Sequence, residues 1–152
     1  MKNPSTTHAT FVIERVYEAT PARVFAAWSK AEAKARWFAC HDDWKSLEYA
    51  LDFRIGGRET SRVQPPGGLV HAYDARYYDI VPERRIVFAY DMHVGDARIS
   101  VSLATVELEA QGPATRLTFT EQGAFLDGLS NAADREEGTR LGLENLAAEL
   151  AR

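Results

Sequence analysis

Cysteine occurs once, at Cys40, so no disulfide can close within the chain and a disulfide-stapled secreted scaffold is excluded. Long apolar runs are missing: nothing approaches the roughly 20 residues that span a bilayer as a helix. The opening MKNPSTTHATFV has no apolar h-region of the kind a signal peptide needs. A cytoplasmic protein without membrane insertion is the expectation. Cationic excess is missing as well, since 18 Lys and Arg stand against 22 Asp and Glu for a net charge of −4. Duplex binding uses a broad basic surface, so no nucleic-acid partner is expected. There is no Gly-rich phosphate loop, no nucleophile elbow and no His or Cys pair at zinc-ligand spacing. The sequence therefore carries no catalytic signature, the reading leans away from an enzyme, and neither cofactor nor metal is expected. Cys40, His41, Asp42 and Asp43 cluster, but four adjacent residues rarely converge on one ion, and a solvated loop is the reading.

The 152 residues, 45% hydrophobic and 26% charged, suit one soluble domain over 10–152 behind a flexible N-terminus at 1–9. A chain of this length buries about 68–70% of its unfolded surface, enough for a core without cross-links. Of the 18 basic residues, 14 are Arg, which suggests a GC-rich bacterial genome. Residues 11–18 alternate as a strand, and Thr20 with Pro21 opens a short helix carrying Val24, Phe25 and Trp28. Ser29 and Glu32 form a capping-box pattern for a second short helix with Ala33, Trp37 and Phe38. The period then becomes two. Leu47, Tyr49, Leu51 and Phe53 share one strand face, Gly56-Gly57 marks a hairpin, and residues 58–64 read as a polar, exposed return strand. Strands follow at 69–81, 84–93, 97–109 and 114–122, and a long helix closes the chain at 131–151.

A long helix and an antiparallel sheet each have one apolar face, so the sheet is expected to curl around the helix. The helix stripe is uneven: Leu143, Leu146, Ala147 and Leu150 fill its second half, while Gly138, Thr139 and Gly142 leave the first half without bulk. Either bulky sheet residues fill that space or a cavity opens there. Strand parity supplies its walls. Ile86, Phe88, Tyr90 and Met92 share a face, and Leu117 and Phe119 set an inward face whose parity carries Glu121 inward, unless the strand frays before Gly123. A buried carboxylate needs a partner, and Arg135, Glu136, Arg76 and Tyr78 are the candidates.

The residues taken in order resemble the activator of heat-shock-protein-90 ATPase homologue (AHSA-type) family within the SRPBCC, or START-like and birch-pollen-allergen-like, superfamily. The likeness rests on Arg15-Val16-Tyr17-Glu18-Ala19-Thr20-Pro21, Ser29-Lys30-Ala31-Glu32 with Trp37-Phe38, and Asp52-Phe53-Arg54-Ile55-Gly56-Gly57. It continues through Tyr77-Tyr78-Asp79-Ile80-Val81-Pro82-Glu83, Thr115-Arg116-Leu117-Thr118, and the helix positions Gly138, Leu143, Leu146 and Leu150. The resemblance implies an α+β helix-grip fold: a curved antiparallel sheet of six to seven strands around a long C-terminal helix, with two short helices after the first strand. Where many relatives carry Trp after the helix glycine, this chain has Thr139, so a larger cavity is expected.

The function expected is binding of a small hydrophobic or amphipathic molecule between helix and sheet. Its candidate contacts are Trp37, Phe38, Tyr49, Leu51, Arg76, Tyr78 and Phe88, with Tyr90, Met92, Phe119, Glu121, Arg135, Thr139 and Leu143. Two alternatives stay open. One is a polyketide-cyclase-like or hydrolase-like enzyme with Glu121 as general base and Arg76 or Tyr78 stabilising an enolate. The other is a chaperone-interacting protein that docks through an exposed sheet face. A homodimer is a further open partnership.

Overall fold

A computed structural model describes residues 3–38 and 42–152; Cys40 and His41 of the acidic cluster lie outside the described residues, while Asp42 and Asp43 are exposed. The chain runs β1 (Thr6–Tyr17), α1 (Pro21–Ser29), α2 (Ala31–Trp37), β2 (Lys45–Leu51), β3 (Arg58–Gln64), β4 (His71–Val81), β5 (Arg85–Val94), β6 (Ala97–Gln111), β7 (Ala114–Leu126) and α3 (Ala132–Leu150). The strands form one antiparallel sheet in the order β1-β7-β6-β5-β4-β3-β2. The sheet curves around α3 in the helix-grip arrangement.

β1 begins earlier than the alternation at 11–18 indicates. Thr6–Ala9, assigned by sequence to the flexible N-terminus, pair with Gly123–Leu126 of β7. Ser5 and Asp127 extend the tie: the Ser5 N–H donates to Asp127 Oδ1 at 3.0 Å, and the Asp127 N–H donates to the Ser5 carbonyl at 2.8 Å. Further along β1, Phe11, Ile13 and Tyr17 face the core while Val12 and Val16 face out, as a half-buried strand requires.

Thr20 caps α1, its hydroxyl accepting from the Arg23 N–H at 3.3 Å, and Pro21 occupies the first turn. The capping box at Ser29 does not form. Ser29 ends α1, and α2 starts behind Lys30 without a side-chain cap. The buried face of α2 is Lys34 and Trp37, three residues apart, rather than Ala33. In β2 a bulge between Ser46 and Glu48 throws Leu47 out of phase, so it is exposed while Tyr49 and Leu51 face inward. The hairpin that follows needs glycine at Gly57, where a Cβ would lie 2.0 Å from the Asp52 carbonyl oxygen.

α3 is pinned along its second half. Leu143, Leu146 and Leu150 are buried, the Tyr17 hydroxyl donates to the Leu143 carbonyl at 2.9 Å, and the Arg23 guanidinium donates to the Leu150 carbonyl at 2.7 Å. The last contact satisfies a C-terminal carbonyl that the helix leaves unpaired and places a cation at the negative end of its dipole. Arg36 grips Glu149 through two nitrogens, with Nη2 to Oε2 at 2.6 Å. Ala147, grouped by sequence with the leucines, is exposed.

Candidate functional site

The first half of α3 stands off from the sheet. A Cβ built on Gly138 or Gly142 meets nothing within 4 Å, and beneath these residues lies a cavity of about 220 Å³. The helix wall is Asp134, Arg135, Gly138, Thr139, Gly142 and Leu143. The facing walls carry seven aromatic rings: Trp28, Trp37, Phe38, Tyr73, Phe88, Tyr90 and Phe119. Many of these brace one another. Trp28 and Trp37 meet edge to face at 4.8 Å, as do Phe38 and Tyr73 at 4.9 Å, and the rings of Tyr73 and Tyr90 lie tilted at 4.8 Å, which fixes the wall in place. Trp37 is further anchored by its indole N–H on the Ala27 carbonyl at 2.9 Å.

One pole of the cavity is polar. Glu121 is 1% exposed, carried inward by the parity of Leu117 and Phe119. The Tyr90 hydroxyl donates to Glu121 Oε2 at 2.8 Å and accepts from Arg135 Nη1 at 2.9 Å; Arg135 Nη1 also lies 3.5 Å from the carboxylate. Arg135 Nη2 donates to Ser100 Oγ at 2.7 Å, so one guanidinium ties α3 to β5, β6 and β7. Burial raises the carboxyl pKa above its ordinary value, against the opposing pull of Arg135, Tyr90 and Ser102. The Ser102 hydroxyl, near enough to favour the charged form, does not reach Glu121 in hydrogen-bond geometry. Among the described residues the buried polar side-chain atoms without a partner are Arg15 Nε, Trp28 Nε1, Tyr73 OH, Ser102 Oγ and Glu121 Oε1. Three of these belong to residues lining the cavity.

A second polar assembly sits behind the aromatic wall. Lys34 Nζ, fully buried, donates to Glu59 Oε1 at 2.9 Å and to the Tyr77 hydroxyl at 3.3 Å. Tyr77 in turn donates to Glu59 Oε1 at 2.8 Å, and Tyr49 donates to Oε2 at 2.6 Å. The Lys34 nitrogen lies 4.5 Å from the Phe38 ring centre and 5.0 Å from that of Trp28, within cation–π range of two cavity walls. Burial lowers the Lys34 pKa, and Glu59 opposes the fall.

The family model described as "Activator of Hsp90 ATPase homolog 1-like protein" matches residues 18–152. The chain belongs to this AHSA1-like family. A putative uncharacterized protein from Rhizobium leguminosarum is 53% identical over 99% of both chains, with a TM-score of 0.95. The Mll3558 protein from Rhizobium loti is 50% identical over 95% of this chain and 99% of its own, with a TM-score of 0.89. An AHSA1-like protein from Aeromonas hydrophila shares the fold at 19% identity and a TM-score of 0.72, over 94% of this chain and 92% of its own. No curated protein matches the sequence.

In this AHSA1-like chain ten of the residues singled out by sequence line one cavity: Trp37, Phe38, Phe88, Tyr90, Met92, Phe119, Glu121, Arg135, Thr139 and Leu143. Four lie elsewhere. Tyr49 belongs to the Glu59 assembly, and Leu51 pairs across the hairpin with Glu59. Arg76 and Tyr78 are corrections: the inward residues of β4 are Tyr73, Ala75 and Tyr77, so Arg76 is exposed and Tyr78 is 57% exposed on the outside of the sheet, and neither partners Glu121. Glu136 also turns away, to Arg140 at 2.7 Å. The exposed return strand at 58–64 is corrected too, because Glu59 and Ser61 are buried. The AHSA1-like site residues that sequence reasoning missed are Trp28, Tyr73 and Asp134 in the cavity, and Lys34 and Glu59 behind it. One signal for Glu59 was available: the Gly56-Gly57 hairpin sets it opposite Leu51, hence on the same face.

Proposed function

We propose that this AHSA1-like protein binds a small hydrophobic or amphipathic molecule in the cavity between α3 and the sheet. The observation that carries the reading is the 220 Å³ space under Gly138, Thr139 and Gly142, walled by seven rings with Glu121 and Arg135 at one pole. Concave, mostly apolar pockets with a few convergent polar groups are the usual form of small-molecule sites. The rings supply affinity by burial, at roughly 25 cal/mol per Å² of apolar surface removed from water. Glu121, held by Tyr90 and Arg135, supplies orientation. Native mass spectrometry of protein purified from its own host tests this: a co-purified small mass is expected, displaced by excess of an added apolar compound. A bare polypeptide that also takes up no added apolar compound contradicts it.

A second reading keeps the interaction that the family's name describes. The outer sheet face exposes Val12, Val16, Tyr78, Val101 and Leu103, an apolar area that a chaperone could cover. On this reading Leu103→Asp abolishes binding to a purified Hsp90-type ATPase in calorimetry while leaving the cavity intact. Equal heats for wild type and variant contradict it.

A further inference from the structure

The cavity's size, its ring-lined walls and its unpartnered polar atoms together narrow the guest. An apolar cavity of about 150 Å³ takes up benzene, so the 220 Å³ here has room for one or two fused rings and little more. A long acyl chain exceeds that space and would have to run out through the cavity's open mouth, leaving part of its apolar surface in water. The walls point the same way: Trp28, Trp37, Phe38, Phe88 and Phe119 present faces and edges at which a planar π-system packs better than a flexible chain. At the polar pole Glu121 Oε1 is buried and unpartnered, while its Oε2 is taken by Tyr90. The Tyr73 hydroxyl is also buried and unpartnered. A carboxylate oxygen accepts; a tyrosine hydroxyl donates as well as accepts. One hydroxyl on an aromatic ring complements both kinds of group. An anionic guest is disfavoured, because the nearby cation, Arg135, is already engaged by Glu121, Tyr90 and Ser100.

Resting on the binding function above, we infer that the cavity takes a compact, uncharged hydroxy-aromatic of one or two rings, a phenol- or naphthol-type molecule, whose O–H donates to Glu121. Buried polar groups built to meet a partner discriminate strongly against an analogue that lacks it. The test is calorimetric titration of wild type and Glu121→Leu with naphthol, naphthalene, methoxynaphthalene and decanoate. Wild type is expected to bind naphthol at least about tenfold more tightly than naphthalene or methoxynaphthalene, because those two leave the buried Glu121 oxygen without a partner. Glu121→Leu is expected to lose that preference while still binding naphthalene, which also shows that the variant is folded. Equal affinity of wild type for naphthol and naphthalene overturns the inference, as does a naphthol preference that survives in Glu121→Leu. Binding of decanoate alone overturns it while leaving the binding function standing. If none of the four binds, both fall.

Discussion

The carboxyl of Glu121 is buried more completely than its partners repay: Arg135 approaches at 3.5 Å, Tyr90 donates one hydrogen bond, and Oε1 accepts none. Its pKa in the folded protein therefore lies above the ordinary 4.5. A raised carboxyl pKa means that the folded state binds the proton more tightly than the unfolded chain. The stability this contributes is fully present below pH 4.5 and is lost as pH rises through the folded pKa. Glu121→Gln removes the titration, so the variant should gain on wild type over that rise when denaturant unfolding is compared across pH. A wild-type advantage that grows with pH contradicts the raised value. Lys34 and Glu59 make a different demand. Removing one member of a buried ion pair strands the other, at a cost of about 3–5 kcal/mol. Lys34→Met should lose stability on that scale in denaturant melts, and adding Glu59→Gln should recover much of it, since the amide oxygen accepts from one of the Tyr49 and Tyr77 hydroxyls while the amide NH2 donates to the other, which turns to accept. A double variant no more stable than the single one contradicts this account of the pair.

At the scale of elements, α3 divides into a half that fills the sheet's trough and a half that does not. Leu143, Leu146 and Leu150 do the filling; Gly138, Thr139 and Gly142 leave the cavity open. Thr139→Trp should stabilise the protein by about 0.5–2 kcal/mol, as cavity filling commonly does, and raise its melting temperature. A lower melting temperature means the space is not free to receive a ring. This division was legible in the sequence because helix periodicity and strand parity are local rules, and the same rules placed Glu121, Phe119 and Tyr90 inward. Arg76 and Tyr78 went astray because the parity of β4 is set by Tyr73, Ala75 and Tyr77, a pattern blurred by tyrosines on both sides and by the irregularity between Tyr77 and Asp79. Lys34 and Glu59 are 25 residues apart, one on the alanine-rich α2 and the other on the mostly polar β3. Hairpin register sets Glu59 on the face of Leu51, but no local rule marks Lys34 as buried, and only the tertiary fold brings the two together. The bulge at Leu47 was invisible for a related reason, since a one-residue insertion in pairing belongs to the partner strand as much as to its own.

At the scale of the whole molecule the two faces of the sheet differ in character. The inner one grips α3 and lines the ring-walled cavity, which opens to solvent; the outer one carries exposed Val12, Val101 and Leu103. No helix among the described residues is long and apolar enough to cross a membrane. The central claim is that the inner face, beneath the sparse half of α3, takes a guest. Chemical-shift mapping by NMR during titration with a one- or two-ring aromatic tests that claim where it is made. The largest shifts should fall on the Trp28 indole N–H and on the Gly138, Thr139 and Gly142 amides. Shifts confined to Val12, Val101 and Leu103, or none at all at saturating probe, would contradict it.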